Sequence, residues 1–311
     1  MPPAASRPLT AIVLKVSSIA AFVGMQSFIK LAGSVPPGQV VFYRSFFAMI
    51  PVLILLGWTG EIRTAFFTKR PGRHIVRGLV GVSSMGLGFF ALTRLPLPEA
   101  IMLNYAQPLL VVVISALVLG EQVRVYRWTA VAVGFVGVLI ITWPKLTLLG
   151  SPEAMGSDEA MGVIAALVAA AISAVAVLQV RSLVSTEKSS TVVIWFSLTS
   201  AAAGLLTMPF AWDPLTTWQV TVLVLCGIMG GIGQTLMTEA YRYASVATVA
   251  PFEYTSILFG LVIGYLLFGD LPTLYTLVGG VIIVGSGLFI VWREQRLGLE
   301  RAEAPEVAPP Q

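Results

Sequence analysis

Ten long apolar stretches, separated by short polar or turn-forming segments, run through almost the whole chain. They cover Thr10–Leu31, Val40–Leu56, Ile75–Leu92, Ala100–Leu119, Trp128–Trp143, Ala160–Leu183, Val192–Phe210, Val220–Ala240, Val246–Phe268 and Leu274–Trp292. A helix needs about 20 apolar residues to cross the hydrocarbon core of a bilayer, so each stretch predicts one transmembrane helix. Turn chemistry marks the breaks: Gly33-Ser34-Val35-Pro36-Pro37-Gly38, Pro71-Gly72, Pro96-Leu97-Pro98 and Asp213-Pro214. The longest interruption, near Lys145–Glu159, parts the stretches five and five.

The two halves are alike. Displacing the chain by 149 residues lays Tyr105 on Tyr254, Gly120-Glu121 on Gly269-Asp270, Tyr126 on Tyr275 and Trp143 on Trp292. Leu109, Val113, Ile114 and Leu117 fall on Leu258, Val262, Ile263 and Leu266 in the same register. Apolar matches are cheap in such a chain; the Tyr, Gly-acid and Trp matches are not. A displacement of 152 lays Val40, Val41 and Ser45 on Val192, Val193 and Ser197, a weaker correspondence. Five is odd, so the second copy threads the membrane in the opposite sense. The predicted fold is all-α and integral to the membrane, ten transmembrane helices as two inverted five-helix repeats, an architecture common among secondary transporters. The divisions expected are an N-terminal segment 1–9, a first repeat 10–147, a linker 148–159, a second repeat 160–292 and a disordered tail 293–311.

Composition agrees. Of 311 residues, 57% are hydrophobic and 11% charged, against about 25% charged in a soluble domain. One set of alternate loops holds Arg7, then Arg63, Lys69, Arg70 and Arg73, then Arg124 and Arg127, Lys188, Arg242, and Arg293, Arg296 and Arg301. The other set holds Lys145 among Glu153, Asp158 and Glu159, then Asp213 and Asp270. Basic residues mark the cytoplasmic side, so both termini are expected there, in a bacterial inner membrane. The net charge of +4 reports topology and not nucleic-acid binding, because the basic residues are spread over separate loops. Cys226 is the single cysteine and His74 the single histidine, which argues against a disulfide or a metal site. No phosphate loop, nucleophile elbow or catalytic carboxylate pair is found in a soluble segment. An enzyme and a cofactor are not expected.

The chain resembles the EamA type of the drug/metabolite transporter superfamily. The resemblance rests on Phe42-Tyr43-Arg44-Ser45-Phe46, on Ala91-Leu92-Thr93-Arg94-Leu95-Pro96 through Leu119-Gly120-Glu121, and on Gly134-Phe135-Val136-Gly137-Val138. In the second half it rests on Ala240-Tyr241-Arg242-Tyr243-Ala244 through Ala250-Pro251 to Phe268-Gly269-Asp270. It implies a secondary carrier working by alternating access. It also implies a small organic solute, with riboflavin-like vitamins, S-adenosylmethionine-like cofactors and amino acids as candidates. Small multidrug members of the superfamily couple protons through a carboxylate in the first span. Here that span carries only Lys15 and Lys30 as charges, so that coupling is not carried over.

Charges inside spans are costly and face the bundle interior or a cavity. Arg44 is read either as a substrate anchor, its guanidinium offering a forked donor, or as the ion-pair partner of Glu99. Glu253 is read as a ligand for a proton, cation or amine, or as the partner of Arg77, Arg181 or Arg242. Asn104, its equivalent in the first half, shares a helix face with Gln107. Gln26, Gln234, Tyr43 and Tyr254 complete the expected substrate-binding set, as amides and aromatic rings supplied by different helices. Gly227, Gly231, Gly260 and Gly264 are read as packing positions, since small residues let helices approach closely. Pro51, Pro108 and Pro251 predict bends. A lipid bilayer and a small-molecule solute are the expected partners; a coupling ion and a second copy of the chain are left open. The rival readings are a membrane subunit that does not transport and a membrane-embedded enzyme.

Overall fold

The computed structural model describes residues 8–118, 120, 123–146, 158–184, 187–243 and 249–303. The helices are α1 (Pro8–Leu31), α2 (Pro37–Thr59), α3 (Ile62–Phe66), α4 (Pro71–Leu92), α5 (Leu97–Asn104), α6 (Ala106–Val118) and α7 (Val125–Leu146), then α8 (Asp158–Val184), α9 (Ser189–Leu206), α10 (Met208–Ala211) and α11 (Thr217–Tyr243). A 3₁₀ turn (Ala250–Tyr254) leads into α12 (Thr255–Phe268), and α13 (Leu274–Glu303) ends the described chain. Among the described residues, nine spans are long and apolar enough to cross a membrane, and Ser190–Leu206 is a shorter apolar tenth. Its 17 residues sit at the low end of the workable range of about 17–25.

Proline and glycine set the helix ends. Pro lies in the first turn of α2, α4 and α5, where its missing N–H has no intrahelical partner to lose. Gly120 and Gly269, equivalent in the two halves, both take a left-handed φ, 64° and 68°. The duplication therefore reaches the backbone conformation that stops the helix.

Span four is not one helix. It breaks at Tyr105 between α5 and α6, and span nine changes from 3₁₀ to α after Tyr254, the equivalent residue. Pro108 lies in the first turn of α6, and Pro251 in the 3₁₀ turn. Each proline thus starts a helical segment; neither bends one in mid-course, as the sequence had suggested. Pro51 lies within an unbroken α2. The tail expected to be disordered from 293 is helical to Glu303. Residues 304–311, and most of the linker 148–159, lie outside the described residues.

Packing runs between the halves. α1 packs on α11, and its repeat mirror α8 packs on α4. α2 meets α9, α7 meets α13 and α5 meets α12, each a helix against its own equivalent. Small residues make these crossings, and that of α2 with α11, close. A Cβ on Gly227 would lie 2.8 Å from the Tyr43 carbonyl oxygen, and one on Gly137 2.7 Å from that of Gly279. Gly260 and Gly264 lie against Ile101 and Pro98. The packing role expected of these glycines is what the structure gives them. The buried core runs through the middle of the bundle, while Trp58, Phe210, Leu206 and Val281 are exposed and form part of the apolar lipid-facing surface.

Candidate functional site

Ten spans threaded in alternate senses leave Pro8 and Glu303, the described ends, on one side, the terminal face; the α1–α2 turn lies on the far face. Between the halves is a cavity of about 700 Å³, within the usual size of a small-molecule pocket, about 300–1,000 Å³. Its walls come from α1, α4, α5, α6, α8, the 3₁₀ turn, α12 and α13. The lining continues to Val111, Val177 and Val291. At 1.5 Å per residue, Val177 and Val291 lie roughly 25–29 Å along their helices from the far face.

The polar part of the wall is built around Tyr105 and Tyr254. These two repeat-equivalent rings stack on each other, with centroids 5.0 Å apart and planes inclined at 23°. The break in span four presents the Tyr105 hydroxyl to the carbonyl oxygen of Glu253, to which it donates over 2.5 Å, and to Ser256 Oγ at 2.6 Å. The Glu253 carboxylate pairs with the Lys15 ammonium. Lys15 is 1% exposed at its side chain and Glu253 46% exposed. A buried cation needs a counter-charge, and this pairing leaves the carboxylate facing the cavity. Gln26, Asn104 and Gln107 add amides to the same wall.

The structure thus brings together Gln26, Asn104, Gln107, Glu253 and Tyr254 from the expected set. Tyr43, Arg44 and Gln234 do not line the cavity. Tyr43 belongs to an aromatic cluster with Phe42, Phe47 and Trp212. Arg44 does not pair with Glu99, which is buried and accepts a hydrogen bond from Thr276 Oγ1 at 3.1 Å. Glu253 takes Lys15 in place of Arg77; the Arg181 and Arg242 side chains lie outside the described residues. Lys15 and Ser84 were missed, and Tyr105 and Ser256 stood outside the substrate-binding set expected. The 149-residue match of Tyr105 to Tyr254 could have found Tyr105. Lys15 carried a signal too, a cation eight residues into the first helix without a neighbouring acid.

Polar contacts tie the helix ends together at the far face. Asp270 accepts from the Lys30 ammonium at 2.6 Å and from the Leu97 backbone N–H at 2.9 Å. Lys30 also donates to the Leu95 carbonyl at 2.9 Å. This joins the end of α1, the α4–α5 turn and the end of α12. Arg94 pairs with Asp158 at 3.3 Å. Gln39 donates to the Asp213 carbonyl at 3.0 Å, and Gln219 to that of Ala32 at 3.2 Å. On the terminal face Arg127 pairs with Glu294 at 2.8 Å, beside the longest helix. Among the described residues no group of three or more His, Cys, Asp or Glu could hold a metal.

A family model described as the EamA-like transporter family matches residues 9–143 and 160–292. An S-adenosylmethionine uptake transporter of Rickettsia prowazekii (strain Madrid E) is 26% identical over 83% of this chain and 84% of its own length. The pseudopaline exporter CntI of Pseudomonas aeruginosa is 28% identical over 88% and 93%. A riboflavin transporter of Rhizobium johnstonii is 28% identical over 84% and 83%. A solved crystal structure superposes with a TM-score of 0.62 at 19% identity, covering 93% of this chain and 99% of that one; at that identity the likeness speaks for the fold alone.

Proposed function

The chain belongs to the EamA-like transporter family, and from that membership we propose that it is a secondary carrier working by alternating access on a small organic metabolite. The observation that carries this reading is a cavity of about 700 Å³ walled by both repeats, with Asp270 bonded to Lys30 and Leu97 at the far face. The positive-inside pattern makes the terminal face cytoplasmic. The state described is then sealed towards the outside, in a bacterial inner membrane.

The solute would sit against the stacked Tyr105 and Tyr254, with Gln26, Asn104 and Gln107 as hydrogen-bonding partners and the Glu253 carboxylate as the charged one. Flat aromatic faces suit a ring, and exposed amides suit its polar edge. A riboflavin-like vitamin, an S-adenosylmethionine-like cofactor and an amino acid are the candidates, in line with relatives named for the first two. The pair Lys15–Glu253 is the place for a coupling proton or cation, since any cation arriving at Glu253 competes with Lys15.

The test compares metabolites inside and outside three strains: one lacking the protein, one overproducing it, and one overproducing Glu253→Gln at equal membrane level. A solute that shifts with the wild type and not with the variant is the cargo, and the sign gives the direction. Equal profiles in all three strains across a broad panel would reject the reading.

A further inference from the structure

Arg44 on α2 and Arg77 on α4 converge on one ring. The Cζ of Arg77 is 4.0 Å from the centroid of Phe196, on α9, and that of Arg44 is 5.9 Å from it. The two guanidinium carbons are therefore no more than about 10 Å apart. Nε of both side chains and Nη1 of Arg77 are buried without a hydrogen-bond partner. Neither arginine enters an ion pair among the described residues. Two like charges this close inside a bundle repel, and a buried donor without an acceptor is costly. The ring faces offset part of this through cation–π attraction but supply no oxygen acceptor.

The cluster has room made for it and adjoins the cavity. A Cβ on Gly81 would lie 2.8 Å from Phe196 Cε2 and 2.9 Å from Arg77 Nη1; one on Gly230 would lie 3.5 Å from Arg44 Nε and 2.9 Å from Met25 Sδ. Met25 lines the cavity. On α4, Ser84 and Gly88 line it too, and they follow Arg77 at spacings that keep one helix face. Each arginine lies roughly 9–11 Å from the nearer end of its helix, which is too deep for a lipid headgroup. Lys15 has its counter-charge in Glu253, whereas Arg44 and Arg77 have none among the described residues.

We propose that Arg44 and Arg77 form an oxyanion subsite beside the main cavity, which takes a carboxylate or phosphate group of the transported solute. The proposal rests on the carrier reading and narrows it to an anionic or zwitterionic solute. A guanidinium holds such a group with two parallel bonds of about 2.7–2.9 Å, and two guanidiniums on different helices hold it only while α2 and α4 keep their present approach. The solute would then report its own presence to the helix pair.

The purified full chain tests this without knowing the cargo. Thermal unfolding is followed by tryptophan fluorescence in sodium acetate or sodium phosphate, against sodium chloride at equal ionic strength. Acetate or phosphate should raise Tm saturably above chloride. Arg44→Gln and Arg77→Gln should each weaken the apparent affinity at least tenfold, and Arg44→Lys and Arg77→Lys should retain part of it. The double glutamine variant without anion should melt no lower than the wild type, because it removes a repulsion. Three results would overturn the proposal: no saturable rise over chloride, a rise of unchanged affinity in both glutamine variants, or a double variant that melts far below the wild type with the lysine forms stable but indifferent to anion. The binding arm is separate from flux. Transport without an arginine-dependent anion response sinks the subsite alone, and the anion response without any metabolite shift sinks the carrier reading alone.

Discussion

Removing the charge of Asp270 should open the far face. Its carboxylate holds the Lys30 ammonium at 2.6 Å and the Leu97 N–H at 2.9 Å, and both side chains of the pair are only 16% exposed. The second bond lies at the N-terminus of α5, where the helix dipole favours an anion. Hydrogen bonds to charged groups contribute about 1.5–3 kcal/mol each. Neighbouring terms do not add fully, so Asp270→Asn should weaken the closed state by about 3 kcal/mol. At about 1.4 kcal/mol per tenfold, that is roughly a hundredfold shift towards an outward-open form. Lys30→Met leaves the carboxylate bonded to Leu97, so its shift should be about tenfold. Ala100 lines the cavity three residues into α5, and Cys226, the only cysteine, is buried. An Ala100→Cys reporter labelled from outside with an impermeant maleimide therefore reads the opening against a low background. The expected order of rates is Asp270→Asn above Lys30→Met above the unmodified lock. If Lys30→Met labels as fast as Asp270→Asn, the charge of Asp270 adds nothing to its bond with Leu97. If neither exceeds the parent, the contact does not close the far face.

Further outcomes follow from the cavity wall and the helix crossings. Tyr105→Phe removes the bonds to the Glu253 carbonyl and Ser256 while leaving the stack, so stability should fall by about 1 kcal/mol and flux should fall at equal expression; unchanged flux would remove the hydroxyl from the site. Gly287→Ala sets a methyl against the Tyr254 hydroxyl; the rigid ring must shift, at about 1–3 kcal/mol, and a melting curve matching the parent would refute the contact. Gly227→Leu drives a side chain into the α2 backbone at the Tyr43 carbonyl, and should lower Tm clearly while Gly24→Ala, which meets nothing within 4 Å, should not.

The membrane spans were legible because a bilayer imposes one requirement on every helix, a long apolar run, which nine helices meet among the described residues and Ser190–Leu206 approaches at 17 residues. The inverted duplication was legible through a handful of non-apolar matches, of which Tyr105 with Tyr254 and Gly120 with Gly269 proved informative in space as well. The break at Tyr105 was not legible: hydropathy runs smoothly across it, and Pro108 pointed three residues late. Glu253 was recognised as out of place in its span, but its partner was sought among arginines at similar depth. The partner is Lys15, 238 residues away in sequence, and pairing over such separations depends on helix rotation, which composition does not encode. Arg44 was singled out as a charge inside its span, yet nothing in the chain indicated that Arg77 would share its ring. The extension of α13 to Glu303 was masked by the charge of the tail, although Arg293–Arg301 is also a good helix-forming sequence once the membrane edge is passed.

The Tyr105–Tyr254 stack has a consequence for how any switch between the halves is balanced. If the two repeats trade conformations, this ring pair maps onto itself. It is present before and after, so it can strengthen the assembly without favouring either orientation. The hydroxyl bond beside it does not share that property. Tyr105 to the Glu253 carbonyl maps onto Tyr254 to the carbonyl of Asn104, a different bond belonging to the other orientation. The hinge of the carrier would then be a symmetric object carrying an asymmetric latch, and one hydroxyl group on each ring would set the resting bias in opposite directions.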